Sequence, residues 1–273
     1  MPEIATLARL LKELRLPAIA RQWQAVEKSA LEHHWTFGQY LAALCEQELA
    51  HRHSERLHRH LKESHLPVTK TLERFDFTAC PALNPVRIAQ FARYPDWVER
   101  RENLLLFGPS GVGKTHLAAA IGYGLIEQGV RVLFGPTTAL VQSLQQAKQQ
   151  LRLAEVLERL DKYAVLVLDD LGYVRKSDTE TAVLFELIAH RYETGSLIVT
   201  ANQPFSAWDG LFPDPMMTVA AVDRLVHHAH IIDIQADSYR KRQSHQRQAA
   251  DHHTHPGSPS AQQATQMEVT PMS

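Results

Sequence analysis

The sequence predicts an α/β fold, a three-layer core around a parallel five-stranded sheet, preceded by a small all-helical N-terminal domain. Three observations lead there. Five short apolar runs, at 104–107, 130–134, 164–168, 197–200 and 231–234, alternate with helical stretches. Strands joined by crossover helices make a parallel sheet covered on both faces, so their runs are continuously apolar and do not alternate. A glycine-rich loop joins the first run to a helix. Residues before about 65 carry helical periodicity only.

The helical part comes first. Ile4, Leu7, Leu10, Leu11 and Leu14 fall on one face of a first helix. Pro17 suits the first turn of a second, which carries Ile19, Trp23 and Val26. A third starts at "WTFGQY", where Thr36 as N-cap and Gln39 at N3 form a capping box and Trp35 and Tyr40 are spaced for a hydrophobic staple. Three short helices make a marginal core, so one apolar face is expected to be left for a partner protein rather than closed in a self-contained bundle. "HRHSERLHRH" resembles a metal box but does not work as one. At helical spacing His51 and His58 share one side while His53 and His60 share nearly the opposite side, and zinc needs three or four converging ligands. It reads as a solvated helix.

"PVTKTLERFDFTACPALNP" breaks the periodicity with three prolines and reads as a linker. The expected division is a helical partner-binding domain at 1–65, a linker at 66–83, the α/β domain at 84–242 and a disordered tail at 243–273, poor in large apolar residues.

The α/β part opens on "NLLLF" and then "GPSGVGKTHLA". Gly108, Gly113, Lys114 and Thr115 fit G-x-x-x-x-G-K-[ST], the phosphate loop of P-loop NTPases. Glycines let backbone amides curl round an anion, and the following helix points unpaired N–H groups at it. Candidate nucleotide-binding residues are Gly108, Pro109, Ser110, Gly111, Val112, Gly113, Lys114, Thr115 and His116. Lys114 is suited to the β and γ phosphates, and the Thr115 hydroxyl to Mg²⁺. The helix "THLAAAIGYGLIEQG" stops at Gly129. "AVLVLDDLG" is an apolar strand ending in two carboxylates, Asp169 to hold the Mg²⁺ water shell and Asp170 to polarise the attacking water. Ser177 and Glu180 make a second capping box ahead of a helix closed by Gly195. Asn202 leaves the next strand, where its amide could orient a water beside the γ-phosphate. Arg224 and Arg240 are arginines suited to meeting a phosphate, in cis or from a neighbouring subunit.

Composition sets limits. The 273 residues are 44% hydrophobic, enough for one large domain and a small one. With a formal net charge of −1, no global basic excess announces nucleic acid, so DNA contact must come from a local patch. Cys45 and Cys80 have no metal spacing and read as thiols in a reducing compartment. No apolar run approaches the ~18 residues of a membrane span, and no signal-peptide segment is evident, so a cytoplasmic protein is expected.

The order GPSGVGKTHLA, LVLDDLGY, SLIVTANQPFSAW, DRLVHHAHIIDI and SYR resembles the IstB-type ATP-binding helpers of insertion-sequence transposition, relatives of the DnaC helicase loader among the AAA+ ATPases. The likeness covers roughly 69–241, including "LERFDF". It implies an AAA+ ATPase that uses ATP and Mg²⁺, assembles as a homo-oligomer on double-stranded DNA and recruits or activates a transposase. By motif position Lys114 and Thr115 are Walker A, Asp169 and Asp170 Walker B, Asn202 sensor I, Arg224 the arginine finger and Arg240 a sensor II candidate. Lys148 and Arg152, in a helical stretch that lies toward DNA in related initiators, are the implied phosphate contacts. One departure concerns Asp170, where many AAA+ proteins carry the longer Glu. A second is the charge of Arg175 and Lys176 just after Walker B. A helicase loader of the same fold is the competing reading. A small-molecule kinase is a third, but it would require a lid of clustered arginines that is not evident.

Overall fold

The structure is a computed structural model and describes residues 4–172, 177–204, 208 and 214–236. Three helices lead: α1 (Ile4–Glu13), α2 (Pro17–Glu32) and the long α3 (Phe37–Ser64). Pro17 is at the start of α2, and the Thr36–Gln39 capping box forms as its sequence predicts. Leu11, Ile19, Val26 and Leu44 close a small core. The Tyr40 hydroxyl donates to Trp23 O at 3.4 Å, which ties α3 to α2. The buried Glu48 of α3 does something the sequence hides. Its carboxylate accepts from the N–H groups of Ala18 and Ile19, at 2.9 and 3.3 Å, and so caps α2, whose own N-cap Leu16 offers no side-chain bond. Burial alone would raise the Glu48 pKa, but these bonds and Arg52 hold it below the ordinary value. The helices therefore have a core of their own and also leave apolar surface uncovered, with Leu31, Phe37 and Leu41 at 73, 95 and 60% exposure.

The sheet contains β1 (Asn103–Phe107), β2 (Val132–Pro136), β3 (Val165–Asp169), β4 (Ser196–Ala201) and β5 (Ala229–Asp233), all parallel, in the order β2-β3-β4-β1-β5. On one face pack α6 (Lys114–Glu127), α4 (Pro85–Arg93) and the short α5 (Asp96–Glu99). On the other lie α7 (Thr137–Gln149), α8 (Leu153–Leu160), α9 (Asp178–Arg191) and α10 (Pro215–Val226). The three central strands, β1, β3 and β4, are buried along their whole length, as their continuous apolar runs require.

Two strands start two residues away from the sequence reading, while the other three differ by one residue at one end or both. β2 starts two residues later than expected, because 129–131 turn after α6 and Val132 is the first residue in register with β3. β5 starts two residues earlier, because pairing on β1 begins at Ala229 opposite Asn103. As an edge strand β5 is only half buried, so its polar start hides from an apolar-run criterion. Helix α9 opens on the Ser177–Glu180 box but ends at Arg191, before Gly195. Glu193 takes the left-handed turn, with φ 59°. The cause is Arg191, at 2% exposure, whose guanidinium donates to Ala164 O at 2.8 Å. Only a glycine at 195 leaves room for it, since a Cβ there would overlap the guanidinium.

The stretch read as a linker is not a free tether. Leu66, Ala79, Cys80 and Leu83 are buried in the core beside α6, and the turns Leu72–Arg74 and Phe77–Ala79 are short 3₁₀ helices. The end of α3 docks there as well. Glu63 pairs with Arg131 at 2.9 Å, and Leu57 and Leu61 pack on the same core. Prolines signalled an end of helical periodicity, and only tertiary packing shows that the chain is held down.

Helix α6 meets α4 at a glycine. A Cβ on Gly124 would stand 2.6 Å from Ala92 Cβ and 3.0 Å from Ala92 O. Gly124→Ala would gain about 1 kcal/mol of helix propensity, while overpacking against backbone costs about 1–3 kcal/mol. The expected outcome is a net loss of about 1 kcal/mol, read as a lower urea midpoint at unchanged slope.

Candidate functional site

The loop between β1 and α6 has the geometry of an anion cradle. Gly108, Gly111 and Gly113 have φ of 143, 86 and 100°. At Gly108 a Cβ would run into the carbonyl oxygen of Ile234, and at Gly113 it would stand 2.7 Å from the Phe75 ring. These two glycines answer both a backbone and a space requirement. Helix α6 begins at Lys114 with no side-chain cap on its first turn, so its leading N–H groups face the loop.

Lys114 is buried, at 4% exposure. Its ammonium donates to Gly108 O (2.7 Å), Pro109 O (2.9 Å) and Asn202 Oδ1 (2.6 Å). The structure thus brings Lys114 and Asn202 into direct contact across 88 residues of sequence. Asp169, at 8% exposure, ends β3 beside them. Its Oδ1 accepts from Thr200 Oγ1 at 2.7 Å, and the Thr115 hydroxyl also bonds this carboxylate. Burial pushes the Asp169 pKa up and the neighbouring Asp170 charge adds to it, while Thr200, Thr115 and Lys70 pull it back only in part. Asp170 is exposed, in the left-handed conformation at φ 57°, with its N–H donating to Thr200 Oγ1 at 2.8 Å. Thr115 and Asp169 therefore stand together as expected for a metal pair, with Asp170 and Asn202 at the ends of adjacent strands.

His116 behaves differently from the other loop residues. Its side chain turns from the loop to the strap before α4, where Nε2–H donates to Thr71 O at 2.8 Å and the ring meets Phe75 edge-on at 5.3 Å. Burial lowers its pKa, so the neutral ring is favoured. Its side chain clamps strap to loop, so any contact with phosphate is left to its backbone N–H in the first turn of α6.

The remaining candidates lie apart. Arg224 donates to Ala220 O at 2.8 Å and stacks on Phe185 at 5.3 Å. It lines a small cavity with Asn103 and Leu197, at the beginnings of β1 and β4, whereas the phosphate loop follows the end of β1. At about 3.3 Å per residue, a five-residue strand separates the two by more than ~10 Å. Lys148 ends α7 in an ion pair with Glu186 at 2.6 Å, and Arg152, in the break before α8, pairs with Glu155 at 2.9 Å. Both are exposed, but neither stands on one continuous helix as expected, and each is already matched by a carboxylate. Arg240, Arg175 and Lys176 lie outside the described residues.

A family model described as IstB-like ATP binding protein matches residues 9–247. The chain belongs to that family. An insertion sequence ATP-binding protein of Sinorhizobium fredii is 51% identical over 238 residues, 87% of this chain and 80% of the relative. The IS21 insertion sequence ATP-binding protein of Pseudomonas aeruginosa is 37% identical over 231 residues, 85% and 87% of the two chains. Among solved structures, the DnaC helicase loader superposes with a TM-score of 0.51 at 24% identity, over 61% of this chain and 97% of that one. DnaA bound to AMPPCP and single-stranded DNA gives 0.53 at 18% identity, over 69% and 57%. These likenesses show the AAA+ fold. The site is that of an IstB-like ATP-binding protein.

Sequence reasoning missed Thr200, Thr137, Phe75 and Thr71. Thr200 bridges both Walker B aspartates, and Thr137 Oγ1 donates to Asp169 O at 2.8 Å. A signal existed for Thr200, a lone hydroxyl at the end of an apolar strand. Phe75 and Thr71 gave none, since their role depends on the strap's folding over the loop.

The raised Asp169 pKa has a thermodynamic consequence. Between the ordinary value of 3.8 and its higher folded value, the folded state binds more protons than the unfolded state, so stability falls as pH rises through that window. Above that window the nucleotide-free protein carries the penalty in full. Asp169→Asn removes it and keeps an acceptor for Thr200. The expected outcome is a higher thermal midpoint for the variant at pH 7, with the gap closing as pH is lowered toward 4.

Proposed function

We propose that this IstB-like protein is an ATPase that assembles on double-stranded DNA as a homo-oligomer and recruits or activates its transposase. The observation that carries the reading is the Lys114–Asn202 bond at 2.6 Å. It joins the residue that grips a γ-phosphate to one suited to orient the water that attacks it, and such a link serves turnover rather than storage of a nucleotide. The relatives' names, as insertion sequence proteins at up to 51% identity, favour a transposase over a replicative helicase as partner. The likeness to DnaC is one of fold.

Arriving phosphates replace the neutral acceptors on Lys114, and the first N–H groups of α6 take the remaining oxygens. Thr115 and Asp169 are the fitting pair for Mg²⁺, which would neutralise charge on the leaving phosphates. Asp170, exposed beside them, is the group left to polarise water. Being one methylene shorter than the common glutamate, it tolerates binding better than fast hydrolysis. Lys148 and Arg152 are the DNA contacts we favour, and phosphates would have to compete with Glu186 and Glu155 for them. The apolar surface at Leu31, Phe37 and Leu41 is the place for the partner.

Two experiments test the reading. Lys114→Ala is expected to lose ATP binding, while Asp170→Asn keeps binding and stops DNA-stimulated turnover; equal nucleotide affinity in wild type and Lys114→Ala rejects the site. The second concerns Arg224. It stands too far from its own loop to act there; the role we favour is on the next protomer, where a guanidinium on the transition state is worth on the order of 10³-fold in rate. The alternative is an arginine that pairs with Asp223 or Asp233 and only stabilises the fold. Mixing Arg224→Ala with Lys114→Ala on DNA is expected to regain activity that neither has alone, because some interfaces pair an intact loop with an intact arginine. No regain from folded, DNA-bound variants counts against a role in trans.

A further inference from the structure

A second cluster of chemistry-bearing side chains lies away from the nucleotide. Glu193 is in the turn between α9 and β4, and His227 and His228 join α10 to β5. All three side chains are exposed, and one ligand atom from each comes within 4.8 Å of the other two. We propose that Glu193, His227 and His228 form a site for one divalent transition-metal ion of the zinc class.

The donor set selects the metal. Two imidazoles and a carboxylate suit a borderline ion that accepts three protein ligands and a water. Magnesium and calcium prefer oxygen throughout, so this site does not compete for the ion that Thr115 and Asp169 would hold. The two histidine rings have centroids 4.0 Å apart, close enough for one cation to be shared between them.

The backbone is already in place on both sides. The Asn103 N–H donates to His228 O at 2.7 Å, and the Asn103 side chain donates to Leu225 O at 3.0 Å. On the other side, the Tyr192 and Gly195 N–H groups bond Ile188 O and Arg191 O, at 3.0 Å each. The Tyr192 hydroxyl bonds His227 Nδ1 at 2.8 Å and also the Glu193 carboxylate. A partner on Nδ1 orients a metal-bound imidazole and makes Nε2 the nitrogen that His227 has to offer. Little order is left for the ion to impose, which favours affinity. Bound there, the ion ties the α9–β4 turn to the end of α10, the helix that carries Arg224.

The test is a Zn²⁺ titration of the full chain against a chromophoric chelator, with Co²⁺ absorption as the report on coordination. The expected result is one tight equivalent. Glu193→Gln, His227→Ala and His228→Ala each weaken it by at least ~10-fold, and Tyr192→Phe, which keeps all three ligands, weakens it ~10-fold or more. Zinc raises the thermal midpoint of wild type and not of His228→Ala. The chain has sixteen histidines, so two control sets are included. Replacing His51, His53 and His58, or His252, His253 and His255, with Ala is expected to leave the tight equivalent intact. Absence of a tight equivalent, or a tight equivalent that follows either control set, overturns the proposal. It stands or falls apart from the ATPase reading, because the readout is metal binding and not turnover.

Discussion

A lysine ammonium at 4% exposure has to be held, and how Lys114 is held constrains much of the fold around it. Its acceptors are two loop carbonyls and one side-chain amide. The amide comes from the far strand only because β4 lies directly against β1. In that pairing Phe107 stands opposite Ala201, so the residues that follow, Gly108 and Asn202, leave the sheet side by side. A sheet with sequential neighbours would separate them. The order β2-β3-β4-β1-β5 is therefore a condition for the site, and the crevice at the carboxyl ends of the strands is where such sheets bind ligands.

What was legible in the sequence was local. The phosphate loop, the pair of aspartates and both capping boxes are read over at most eight residues, and each is found where expected. Their chemistry needs fixed spacing along the chain, so spacing betrays them. The features that escaped are satisfied from far away. Glu48 caps a helix 30 residues earlier, Asn103 binds Leu225 O across 122 residues, and His116 reaches Thr71 across 45. No periodicity carries such information. The helix after Ser177 shows the two kinds side by side. Its start follows a local box, while its end is set by Arg191, which must find carbonyls outside its own helix.

The strap changes how the helical part relates to the nucleotide. Glu63 and Leu66 at the end of α3 are fixed on Arg131 and against Gly122, and the chain then crosses to the loop. There Phe75 fills the space over Gly113, and Thr71 O accepts a hydrogen bond from His116 Nε2–H. Leu66, Ala79 and Cys80 anchor this path in the core beside α6, while residues between them, such as Val68, are exposed. A partner seated on the apolar surface of the helices would act on the loop through this path, and nucleotide would act on the partner by the same free energy, because such coupling is reciprocal.

The two ends of the sheet thus carry different duties. At the carboxyl ends, neutral acceptors and buried hydroxyls hold Lys114 and Asp169 in charged arrangements that a phosphate and a metal ion would relieve. Asp169 shows the cost, since burial works against its charge and three partners recover only part of it. At the amino ends, Arg191 is buried, bonded to Ala164 O and Ser196 O and paired with Asp161 at 3.5 Å, and Arg224 is half-exposed, held by Ala220 O and Phe185. Both arginines line the same small cavity. An arginine so placed has nothing of its own subunit's nucleotide within reach. The proposed role in trans would use it, with a second copy presenting a phosphate to its guanidinium.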